Sequence, residues 1–99
     1  MKTVNELEAE QVAIAQRAMQ SYAKLCESMN LNQKSQSSLL GIARQTWINY
    51  KTGERAPCRG AVARLKLIVP RIKQAEQDGL LPTDERRSQS GIVEKILSQ

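Results

Sequence analysis

Gly41, Gly53 and Pro57 punctuate one stretch of the chain so closely that only two short helices fit between Gln33 and Pro57. Glycine tolerates a left-handed backbone, so Gly41, which follows the apolar pair Leu39-Leu40, predicts a tight turn of positive φ at the end of a first helix. A second helix then runs from about Arg44 to Lys51 and closes at Thr52-Gly53. Pro57 lacks an amide hydrogen and disfavours a helical Ala56, so it begins a new segment. A β-branched residue at Gly41 is expected to be costly, through its φ and by splaying the two helices.

The flanks read as helix too. From about Val4 to Met29 there is no Gly or Pro, and Leu7, Ile14, Ala18, Tyr22, Leu25 and Met29 recur at the spacing of one helical face. Glu6, Glu8 and Glu10 suit the positive end of that helix's dipole, and Asn30 is a stop signal. A further helix is predicted from Cys58 to Val69, with Pro70 either kinking it or starting a new one, and Asp78-Gly79 ending that segment. Thr83 or Ser90 is expected to cap a last helix carrying Ile92, Val93, Ile96 and Leu97. With three aromatics, no Phe and 40% apolar residues, the core must come from aliphatic side chains and Ala. The expectation is one all-α domain over residues 1–99, with a core of about 5–81 and a C-terminal helix or arm at 82–99.

Charge is concentrated in the middle. Residues 33–73 carry nine basic side chains against the one Glu54, a net of +8, whereas residues 1–32 sum to −1 and residues 74–99 to −2. Such a segment between mildly acidic ends suits a polyanionic partner. Arg59, Arg64 and Lys66 read first as a solvated face. Cys26 and Cys58 form no metal-ligand pattern and the chain has no His, so neither a metal nor another cofactor is implied. Both are expected to be reduced thiols in a cytoplasmic protein, since no apolar run is long enough for a signal peptide or a membrane span.

A helix-turn-helix needs two short helices, a glycine in the turn, apolar residues locking the pair and polar residues on the outer face of the second helix. Leu40, Gly41, Ile42, Thr46, Trp47, Tyr50 and Gly53 follow that grammar. The stretch resembles the family of phage repressors, Cro proteins and Xre-type regulators: Gln33 opens the first helix, Leu40-Gly41-Ile42 forms the turn, Thr46 follows, and Gly53-Glu54-Arg55-Ala56-Pro57 matches the closing Gly-x-Arg-x-Pro. The resemblance implies a lambda-repressor-like helix-turn-helix with flanking helices. It places Arg44, Gln45 and Asn49 at base edges in the major groove, and Gln33, Ala43, Lys51 and Arg55 at phosphates. The side-chain chemistry agrees, because Arg pairs bidentately with guanine and Gln or Asn with adenine.

Four positions depart from the family pattern. Gln36 stands where an apolar residue is usual, Ser37 replaces a small Ala, Trp47 replaces a β-branched residue, and Ile48 occupies a polar place. Trp47 is assigned to the core because an indole buries a large apolar area. Ile48 is left as either a contact to a thymine methyl or a buried interface residue.

With no His, no Gly-rich phosphate loop and no nucleophile elbow, an enzyme is not expected. The leading expectation is a sequence-specific regulator, repressor or activator, that binds double-stranded DNA as a homodimer or higher homo-oligomer. The alternative is an antitoxin that binds a toxin and represses its own operon, and a third reading is a helical adaptor without DNA contacts. One recognition helix reads few base pairs, so two half-sites about 34 Å apart are expected. Either the N-terminal helix or the Ile92–Leu97 face would join the copies, the latter preferred because its apolar residues have less obvious intrachain work.

Overall fold

The computed structural model describes the backbone of residues 4–84 and 88–99 and the side chains from Glu8 onward within those ranges. It is all-α: among the described residues there are five helices, α1 (Val4–Ser28), α2 (Gln33–Leu40), α3 (Arg44–Thr52), α4 (Arg59–Gln77) and α5 (Ser90–Leu97). The expected core position of Leu7 and the placement of Glu6 lie outside the described side chains.

The helix ends follow their local chemistry. Asn30 takes a φ of 61° after α1. The Asn32 side chain caps α2 by accepting from the Ser35 amide at 2.9 Å. Gly41, at φ 68°, returns its N–H to the α2 carbonyls, while the Ile42 amide reaches Ser37 O at 3.1 Å. A Cβ added at Gly41 meets nothing within 4 Å. The expected splaying of the helices is therefore corrected: only backbone strain opposes a side chain there. Pro70 sits inside an uninterrupted α4. The bond it removes is to the carbonyl of Lys66, and both residues are exposed, so water takes the place of the missing donor.

The helices converge on one core. Trp47, Met19, Cys26, Leu39, Ile72 and Ile96 are each 0% exposed. In α1 the buried stripe is Met19, Tyr22, Ala23, Cys26 and Met29, whereas Ile14, expected on the core face, is 65% exposed. The core begins only near Ala18, and the preceding turns project past it: residues 8–14 are all exposed. The preference for the Ile92–Leu97 face as a spare surface is likewise overturned. Val93 and Ile96 are buried against the rest of the chain, and α5 packs on both α2 and α4, so this segment belongs to the core rather than to an arm.

Buried polar side chains link these elements. Gln36, 2% exposed, donates to Leu31 O at 2.8 Å and accepts from Trp47 Nε1 at 2.9 Å. Its backbone carbonyl accepts from the Tyr22 hydroxyl at 2.9 Å. The Tyr22 ring meets the Trp47 indole edge to face at 5.3 Å, a geometry favoured by the ring quadrupoles. Gln36 and Trp47, two departures from the family pattern, are thus one compensated pair. Ser37 satisfies itself by donating to Lys34 O. The residue capping α5 is Gln89, not Thr83 or Ser90, and its side chain gives that helix no capping bond. Instead its Oε1 accepts from the Asn32 amide and the Ser35 hydroxyl, and its Nε2 donates to Asn30 O. Thr83 is fixed to the same turn, its amide donating to Met29 O and its carbonyl accepting from Asn30 Nδ2.

Two sets of substitutions test this account. Gln36→Leu strands the Trp47 N–H and Leu31 O in the interior, and should cost about 2 kcal/mol or more. Combined with Trp47→Phe it should cost less than the sum of the single changes, because the second removes a donor the first has already orphaned. Urea unfolding of the four proteins reads this, and strict additivity would dissolve the pair. Gly41→Val should cost about 1–2 kcal/mol from φ alone, while Gly41→Asn, a residue that tolerates this conformation, should cost visibly less. Equal losses for Val and Asn would put the penalty elsewhere.

Candidate nucleic-acid interface

α3 presents two different faces. At about 100° per residue, Trp47 and Tyr50 point one way and Arg44, Ile48, Gln45 and Asn49 the other. Burial follows that division: Trp47 and Tyr50 are in the core, Arg44 and Gln45 are exposed, and Ile48 and Asn49 are half-buried. The wheel places Ile48 between Arg44 and Gln45 on the outer face, not toward the core. The burial of Trp47 one residue earlier sets this register, and an outward Ile48 fits either of the two expectations for it.

Two hydrogen bonds link side chains of this surface in pairs, Arg44 with Gln33 and Gln45 with Asn49. Arg44 Nη2 lies 3.4 Å from Gln33 Oε1, so the starts of α2 and α3 are joined at the surface. Gln45 Nε2 donates to Asn49 Oδ1 at 3.0 Å, which aligns two amides one turn apart. Ala43 is the N-cap of α3, with an extended backbone and no side-chain cap bond. Lys51 lies in the last turn, where a cation suits the helix dipole. Arg55 follows the left-handed Gly53, and its amide closes back on Asn49 O at 3.2 Å.

Side chains from other helices hold this unit by its carbonyl ends. Gln16 of α1 donates to Tyr50 O and Lys51 O at the end of α3. Arg64 of α4 donates to Leu39 O at the end of α2, at 3.1 Å. Arg71 does the same for α5 through Leu97 O. Arg64, read from sequence as a solvated cation, is therefore a half-buried tie, and not all of the central +8 lies on the α3 face. Gln16 carried no sequence signal, since its partners lie more than thirty residues away.

The two thiols differ sharply. Cys26 is buried, and burial pushes its pKa up to about 12. Beside it, desolvation raises Tyr22 well above the usual phenol value, so it stays a neutral donor to Gln36 O. Cys58 is exposed at the start of α4, where its sulfur accepts from the Ala61 amide at 3.4 Å. That bond and one from the Tyr50 hydroxyl favour the thiolate and lower the Cys58 pKa, while the same contact raises that of Tyr50. Among the described residues, no group of three His, Cys, Asp or Glu side chains is placed to hold a metal ion, and no helix is long and apolar enough to cross a membrane.

Comparisons with protein-family models, with curated proteins and with solved structures found no match.

In the folded protein Cys58 should react quickly with a disulfide reagent, and Cys26 only on unfolding. Because the thiolate is the nucleophile, the Cys58 rate should reach its plateau at lower pH than that of a free cysteine. Tyr50→Phe should move the plateau back upward. Two thiols reacting at one rate, or a profile indifferent to Tyr50, would contradict the assigned hydrogen bonds.

Proposed function

We propose that this chain is a sequence-specific double-stranded DNA-binding regulator of transcription that acts as a homo-oligomer and reads the major groove with α3. The observation that carries the reading is the division of α3. A face of Arg44, Gln45, Ile48 and Asn49 is turned outward on a short helix whose other side is anchored by Trp47 and Tyr50. Rigid backing matters because a base-reading side chain gains specificity only when its register on the duplex is fixed.

Each residue then has a role set by its chemistry. Arg44 offers two parallel donors to the O6 and N7 of guanine, and Gln45 and Asn49 each offer a donor and an acceptor to adenine. Ile48, between them, is suited to the methyl group of thymine. Gln33, the Ala43 backbone at the start of the helix, Lys51 and Arg55 hold phosphates and set the register. The resemblance of residues 33–57 to repressor, Cro and Xre-type regulators supports the same assignment.

With Arg64 and Arg71 engaged inside the chain, the charge facing DNA is smaller than the central +8 suggests. The logarithm of affinity should fall with the logarithm of salt at a slope of roughly −2 to −4 per copy. Arg44→Ala, Gln45→Ala and Asn49→Ala should each leave stability within about 0.5 kcal/mol of the parent. Each should also lower affinity for a selected site by about 1–3 kcal/mol and relax preference at one or two base pairs. Lys51→Ala and Arg55→Ala should weaken binding to all sequences alike. A salt-independent isotherm, or three face variants with parental affinity and preference, would refute the proposal.

A further inference from the structure

The projecting half of α1 and the first turns of α4 form the two walls of an open groove of about 670 Å³. Its floor is apolar: Val12, Ile14 and Ala15 come from α1, Val62 and Ala63 from α4. Val12 is 44% and Ile14 65% exposed, and Leu67, one turn beyond Ala63, is 61% exposed. These are the three large apolar side chains left most open on the described surface, and all belong to these two helices. Residues 8–14 of the α1 wall are all exposed.

The rims carry opposite charge. Residues 4–16 contain Glu6, Glu8 and Glu10 and no Lys or Arg, whereas residues 59–73 contain Arg59, Arg64, Lys66, Arg71 and Lys73 and no acid. Glu8 lines one side of the groove, Arg59 and Lys66 the other. An apolar strip with an acidic edge and a basic edge is complementary to its own copy rotated by half a turn, because each acidic edge then meets a basic one. We propose that this groove seats a second copy of the chain across a two-fold axis, with Val12 and Ile14 buried between the copies and Glu8 facing the Arg59 and Lys66 rim of the partner subunit. The inference rests on the DNA-reading proposal only for the need of two reading heads. It assigns the joint to α1 and α4, leaving the outer face of α3 uncovered.

Sedimentation of the full chain over a range of concentrations, at low and high salt, tests this. The parent should dimerise, more weakly as salt rises. Ile14→Glu should weaken the dimer about tenfold or more without loss of helicity by circular dichroism, because that side chain is 65% exposed within one copy. Glu8→Lys and Lys66→Glu should each weaken it as well. Mixed together, the two charge variants should form a heterodimer of parental strength, since each reversed rim then meets its complement on the other chain. A monomeric parent, an Ile14→Glu dimer of unchanged strength, or a mixture no tighter than its components would overturn the inference. DNA titration of the same samples separates the two claims: a monomer that binds DNA in a manner dependent on Arg44 sinks this inference and the homo-oligomeric part of the proposed function but leaves the reading of DNA by α3 standing, and a dimer that ignores DNA sinks the DNA reading alone.

Discussion

The hydrogen bond between Trp47 and Gln36 is the constraint on which the placement of α3 depends. A fully buried indole brings a donor into the core, and an unpaired buried N–H costs about 1–3 kcal/mol. Gln36 meets that demand with its Oε1 and donates from Nε2 to Leu31 O, so the α1–α2 turn, α2 and α3 are joined through one side chain. Tyr22 completes the arrangement from α1 by bonding the Gln36 carbonyl and packing edgewise on the indole. A slip of α3 along α2 would break the Trp47–Gln36 bond and the edgewise contact with Tyr22 together, whereas an aliphatic contact would tolerate it. Orientation of the outer face follows from this rigidity.

The same device recurs at the edges. Gln16, Arg64 and Arg71 each reach from a long helix to a carbonyl at the end of a short one. Helices of eight or nine residues are too short to be stable alone, and their last carbonyls lack intrahelical partners. Supplying those partners from α1 and α4 stabilises the short helices and docks them together. Gln89 ties α5 to the α1–α2 turn in the same way. In a core poor in aromatics, these polar ties specify positions that apolar packing alone would leave loose.

Helix ends were the most legible features of the chain, because they are written in local chemistry. Asn30, Gly41, Gly53 and Gly79 all adopt positive φ at places where the sequence signals a stop. Faces were harder to read. Ile14 shares the helical period of Tyr22 and Leu25, yet periodicity cannot say where along a helix its packing partners run out. Gln36 and Gln89 look like surface residues, and only partners distant in sequence make them buried. Pro70 was expected either to kink α4 or to start a new helix because it breaks a bond, but that bond is on the exposed side and the helix continues. Arg44, Gln45 and Asn49 were assigned to one surface by the resemblance of residues 33–57 to a helix-turn-helix, while the outward position of Ile48 required the burial of Trp47 to be known.

Together these features describe a small helical unit that holds one short helix rigidly and leaves its polar side outward. The most direct measurement of whether that side reads DNA is selection of bound duplexes from a random pool by the full chain. The account predicts enrichment of one recurrent site, two-fold symmetric and with half-sites about one helical turn apart, that is lost when Arg44, Gln45 and Asn49 are replaced together. A pool that remains random after selection, or a site selected equally well by the triple variant, would contradict it.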